Sequence, residues 1–164
     1  MDLRAIQKPL KDQYRREPDA ARVTLRARGG ESDTPLACSV DLGRAAYAAA
    51  AHAGVGGTAP AACSGDLLLG ALAACAQITC QMVATAMGIP VRRVAVNVEG
   101  DLDLRGTLGV ARDVPVGFEQ IRVKFDLDAP EATAEQLAGL RERTERYCVV
   151  MQTLVTPPTI NVQW

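Results

Sequence analysis

Aromatic residues are scarce in this chain: Phe, Tyr and Trp make up 4% of 164 residues, so a core must be built from Ala, Val, Leu and Ile. Histidine is rarer still. His52 is the single copy, and it leaves a zinc-type centre short of its usual imidazole ligands. No excess of either charge exists, since 18 Lys and Arg face 19 Asp and Glu for a net charge of -1. That balance argues against electrostatic capture of nucleic acid or of an anionic membrane. No uninterrupted apolar run reaches 18 residues, because Asp66, Gln77 and Gln81 break the longest candidate. The opening "MDLRAIQKPLKDQYRREPDAAR" has no apolar centre of the kind a signal peptide needs. The expectation is a cytoplasmic protein with no nucleic-acid or membrane partner. Repeats, low-complexity tracts and linkers are also missing, which implies a single domain over 1–164, with 1–19 as an N-terminal helical extension.

The patterns that are present predict an α+β fold. "ARVTLRARGG" (21–30) alternates as a strand with a basic outer face, closed by a Gly-Gly turn, and "PLACSVDLG" (35–43) reads as its hairpin partner. "RAAYAAAAHAG" (44–54) suits helix by composition and strand by position; we read a strand. "VGGTAPAACSG" is a small-residue loop. Residues 64–90 form the clearest helix, with Ser64 as N-cap, Asp66 in the first turn, and Gly88 and Pro90 ending it. It is apolar nearly all round, which predicts burial on every side. Strands follow over 91–104 and 117–130, separated by a loop, then an amphipathic helix over 130–148 and a last strand over 156–164.

Five cysteines remain to be explained: Cys38, Cys63, Cys75, Cys80 and Cys148. The odd count and the expected reducing compartment argue against a disulfide framework. Cys75 and Cys80 are five apart, about 140° round a helix, so they neither bridge nor clasp a metal together. Cys38 and Cys80 read as packing. Cys63 sits at the start of the long helix, where the dipole lowers a thiol pKa, and elementary electrostatics favours it as a nucleophile. Cys75 is about three turns in and would need a cation from elsewhere in the fold. Cys148 ends the amphipathic helix, where a raised pKa suits a resolving thiol.

"GDLLLGALAAC", "GIPVRRVAVNVEGDLD", "GFEQIRVKFDLDAPEATAEQL" and "ERYCVVMQTL" occur in that order. Together, over residues 20–164, they resemble the OsmC/Ohr family of osmotically inducible protein C-like and organic hydroperoxide resistance proteins. The resemblance implies an OsmC-like fold, with curved antiparallel-rich sheets around a buried central helix in an intertwined homodimer. It implies a thiol peroxidase that reduces organic hydroperoxides in oxidative-stress defence, with no cofactor and no metal. The cysteine ending "AAC", Cys75, takes the peroxidatic role and Cys148 the resolving one. An arginine of the N-terminal hairpin and a carboxylate at the start of the central helix activate the thiolate in such proteins. The matching positions are Arg28, with Arg26 as its neighbour, and Asp66, where glutamate is common. Glu31 follows the Gly-Gly pair where the hydroperoxide-resistance branch often has arginine. A dithiol, in relatives a lipoylated protein, returns the disulfide to thiols. Leu68, Leu72 and Ile78 would give the site an apolar lining. His52 reads as a surface or packing residue and Tyr147 as a core residue, and Cys63 stands as the rival thiol. The alternative is a non-catalytic OsmC-like protein that binds a small ligand or senses redox state.

Overall fold

Alanine and leucine with few β-branched interruptions carry the chain into a 24-residue helix, Ser64–Met87, which we label α1. In the computed structural model it is preceded by strands β1 (Arg28–Glu31), β2 (Ala37–Asp41) and β3 (Ala46–Ala50). It is followed by β4 (Arg93–Asp101), a short helix α2 (Leu104–Thr107), β5 (Gln120–Asp128), α3 (Ala134–Tyr147) and α4 (Val149–Val155). The structure describes residues 28–31 and 37–41 by their backbone, and 45–109, 111–164 and Arg16 in full. The helix expected near the N-terminus and the strand segment 21–27 lie outside the described residues. Among the described residues, 28–69 with 100–121 form one compact unit and 70–99 with 122–164 form a second.

The first unit holds the antiparallel sheet β1-β2-β3. The predicted hairpin partner of β1 holds, and the strand read within 44–54 is present over Ala46–Ala50, after which Ala53–Val55 forms a 3-10 turn capped by His52 instead. The Gly-Gly turn does not hold: Gly29 and Gly30 lie inside β1, opposite Val40 and Ser39. Glycine is permissive enough to extend as well as to turn, so the pair could not mark the end of the strand. Ala49 and Ala50 are buried, and the Ala50 amide donates to the Ala62 carbonyl at 3.0 Å. The loop expected over 105–116 begins with α2, whose N-cap Asp103 accepts from the Arg105 amide and guanidinium. Those bonds hold the Asp103 carboxyl down at about 2.

The second unit is built on α1. Leu72, Ala76, Cys80 and Ala84, each four residues from the next, form one buried row along it. Cys80 and Ala84 meet Ile89 and Leu140, with Val94, Phe125 and Leu127 packed around them. Gly88 at φ 67° ends the helix in a Schellman turn: its amide reaches Thr85 O, and the Ile89 amide reaches Ala84 O at 3.0 Å. β4 and β5 pair, and the ion pairs Arg93–Asp126 and Arg122–Glu99 run in opposite order along them, which makes the pairing antiparallel. Ile121, Val123, Phe125 and Leu127 point to one face of β5, as the alternation predicted. Thr133 and Gln136 close a capping box at the start of α3.

Two expectations fail in this unit. Burial of α1 on every side is not what the chain achieves alone, because the two strands and α3 cover one row and leave Ile78 and Met82 exposed. Despite its polar interruptions the helix is, by length and composition, long and apolar enough to cross a membrane. Within this chain one row of it joins the core, and Gln77 donates to Val94 O at 2.9 Å. The expected strand over 156–164 is irregular instead. Pro157 and Pro158 offer no amide to a ladder, and Ile160, Val162 and Trp164 are exposed.

Candidate functional site

Cys75 lies half-buried in the middle of α1, one residue before the fully buried Ala76. Cys148 is completely buried at the junction of α3 and α4. It caps both helices: its amide donates to Thr144 O at 3.0 Å, and its carbonyl accepts from the Gln152 amide at 2.9 Å. Its backbone is extended, at φ -73° and ψ 103°, so the helical ladder breaks there. A helix break leaves the first amides of the following helix without backbone acceptors. In this chain the amides of Val149 and Val150, with the Cys148 thiol and the Thr79 hydroxyl one helical turn on, are the donors that favour the Cys75 thiolate. The structure thus makes the two predicted redox cysteines neighbours whose ionisations influence one another.

The electrostatics follow from those donors. Burial opposes ionisation of Cys75, but the Val150 amide, the Cys148 thiol, the Thr79 hydroxyl and the Val149 amide together outweigh it. The pKa therefore lies below that of an ordinary thiol. Burial raises Cys148, the Met151 amide opposes that, and both the hydrogen bond to Cys75 and its charge raise it further. Cys80 is pushed up by burial, with the Thr144 hydroxyl opposing, which agrees with its reading as packing. A testable consequence concerns pH. A free thiol titrates at about 8.5, and the ionised form is the one that reacts. Iodoacetamide modification of Cys75, mapped by mass, is expected to reach half its maximal rate below that pH. It should fall as pH drops through the lowered pKa, and a profile matching free cysteine would contradict the geometry. The same ionisation stabilises the fold above the ordinary thiol pKa and ceases to do so as pH falls through the Cys75 value.

The remaining predicted residues are distributed otherwise. Asp66 stands in the first turn of α1 and accepts from the Cys63 amide at 2.9 Å. The Leu67 amide donates to Cys63 O, so Cys63 and not Ser64 occupies the N-cap position. Asp66 is held below the usual carboxylate range by the Cys63 amide first and then by the Cys63 thiol, with burial opposing and His52 adding attraction. His52 accepts from the Gly54 amide at 3.0 Å through Nδ1. Arg26 and the side chain of Arg28 lie outside the described residues. The apolar lining expected of Leu68, Leu72 and Ile78 is not formed within the chain, because Leu72 is buried while Leu68 and Ile78 face outward. No group of three His, Cys, Asp or Glu side chains among the described residues could hold a metal ion. Sequence reasoning missed Thr79 and the amides of Val149 and Val150. Only the i to i+4 spacing of Cys75 and Thr79 could have flagged the first.

The model of the OsmC-like protein family matches residues 56–163. An OsmC-like protein of Mycoplasma pneumoniae superposes with a TM-score of 0.68 at 18% identity, over 82% of this chain and 89% of the other. An organic hydroperoxide resistance protein OsmC of Legionella pneumophila gives 0.60 at 16% identity, over 83% and 92%. An organic hydroperoxide resistance protein of Elizabethkingia anophelis gives 0.61 at 17%, over 84% and 91%. No curated protein sequence is significantly similar to the chain. Identities this low speak for the fold, an α+β arrangement of the OsmC-like kind. The family match covers well over half of the sequence, and with the fold it assigns the chain to the OsmC/Ohr family.

Proposed function

We propose that this protein is a cysteine-based peroxidase that reduces organic hydroperoxides, with Cys75 as the attacking thiol and Cys148 as the resolving one. The observation that carries this reading is the pairing of a half-buried, acidified Cys75 with a fully buried Cys148. The Cys75 thiolate attacks the distal oxygen of the hydroperoxide, the O–O bond breaks, and the alkoxide takes up a proton and leaves as alcohol. Cys75 becomes a sulfenic acid. Cys148 then attacks the sulfenic sulfur, the S–S bond forms, and hydroxide leaves to become water. A dithiol of the lipoyl type returns both thiols by exchange.

The coupling between the thiols times these steps. Two of the influences that raise Cys148 come from Cys75 itself. Oxidation of Cys75 to a neutral sulfenic acid removes that charge, so Cys148 ionises more readily once its target exists. Arg28, with Arg26 as the alternative, is the proposed cation that polarises the peroxide, and Asp66 the carboxylate that orients it. Reduced resting thiols suit a reducing compartment such as the cytoplasm.

The test is one equivalent of cumene hydroperoxide added to the reduced protein, followed by peptide mapping without reductant. A Cys75–Cys148 disulfide supports the reading, and its absence sinks it. The homodimer belongs to the same proposal. Ala71, Ala74, Ile78 and Met82 form an exposed row on α1 with spacings of three, four and four, which suits the corresponding face of a second copy. The chain should elute at twice its 17.4 kDa mass. Ile78→Asp should shift it toward monomer at micromolar concentration, and a wild-type monomer under the same conditions would refute the pairing.

A further inference from the structure

We propose that Gln152 is a positioning residue for Cys75: its side-chain amide occupies the Glu145 carbonyl and so leaves the Val149 N–H free to face the Cys75 sulfur. In an unbroken α-helix the Val149 amide would donate to Glu145 O, four residues earlier. The chain has instead placed Gln152 Nε2 on that carbonyl at 2.9 Å, from seven residues further on. The exchange leaves no orphaned acceptor at the end of α3, because a side-chain donor replaces the backbone donor that the break removed. The displaced Val149 amide is one of the groups on the Cys75 sulfur.

Gln152 is bound at both ends of the break. Its own backbone amide donates to Cys148 O at 2.9 Å while its side chain reaches back to Glu145. One residue thus ties the first turn of α4 to the last turn of α3 across Cys148. Without the side-chain donor, the Glu145 carbonyl draws the Val149 amide back into a continuous helix and away from Cys75. The residue is exposed, so its replacement removes no core packing.

The inference rests on Cys75 being the reactive thiol, and its test reads that thiol without peroxide. The reduced full-length protein, Gln152→Met, Val149→Pro and the double variant are treated with iodoacetamide across a pH series, and modification of Cys75 is mapped by mass. Methionine keeps the length of glutamine and removes the donor; proline is tolerated at the first position of a helix and removes the Val149 N–H. Gln152→Met is expected to move the Cys75 profile to higher pH and slow modification at pH 7 by about threefold, the order of one ordinary hydrogen bond. The double variant should be no slower than Val149→Pro, because both changes act through one amide. An unmoved profile in Gln152→Met, or effects that multiply in the double variant, would overturn the proposal. Peroxide consumption measured alongside tells the two readings apart: a moved profile with no peroxidase activity leaves Gln152 in its role and removes the enzyme.

Discussion

Cys75→Ser is expected to lower hydroperoxide consumption by at least about a thousandfold, because a serine hydroxyl stays protonated where the thiol ionises and is a weak nucleophile without a base. The donors around position 75 acidify a thiol already within reach of ionisation at neutral pH; a hydroxyl is not. Cys148→Ser should behave differently. With no reductant present it still consumes the first equivalent of peroxide, then forms no intramolecular disulfide. Its sulfenic acid is trapped by dimedone or proceeds to sulfinic acid with a second equivalent. Cys63→Ser is the control, expected to retain wild-type turnover. Consumption that survives in Cys75→Ser and vanishes in Cys63→Ser would move the chemistry to the start of α1.

Leu140→Ala is expected to destabilise the fold by about 2–5 kcal/mol, the range for emptying a buried leucine site. Leu140 is 2% exposed and meets Cys80, Ala84 and Ile89, residues too small or too fixed to close around the gap. The denaturant midpoint measures the loss. The cavity would also open a path to Cys80, so thiol-reagent labelling of that residue should accelerate well before global unfolding. A change below about 1 kcal/mol would mean that α3 does not hold α1 through this contact.

Much of the fold could be read from the residues because each local signal agreed with its neighbours. Gly88 and Pro90 stop α1, period-two alternation marks β5, and an amphipathic pattern marks α3. The Gly29–Gly30 pair misled because glycine marks turns and extended segments alike, and its partner strand alone decides. Helix α4 was missed for another reason. "VVMQTLV" is rich in β-branched and apolar residues, and no Pro or Gly announces the break before it. The break lies at the extended Cys148, with the Gln152 side chain reaching back across it to the Glu145 carbonyl, an arrangement that no single-residue propensity encodes.

The same omission explains the difficulty over Cys75. A thiol three turns into its own helix is out of reach of that helix's N-terminus. The donors come from the N-terminus of a different helix, delivered by the fold. Cys63, which electrostatics favoured from the sequence, has its amide and thiol engaged with Asp66. The pairing of Cys75 with Cys148 could be anticipated only by resemblance, since seventy-three positions separate them and no periodicity links them.

The exposed C-terminal segment has a spectroscopic consequence. Trp164 is the chain's one tryptophan and is fully exposed at its very end. Intrinsic fluorescence excited at the indole edge therefore reports the surroundings of the last few residues and almost nothing of the core. Emission typical of water-bathed indole would mark a free end. A blue shift that fades on dilution would mark an end laid against another molecule, visible without any label.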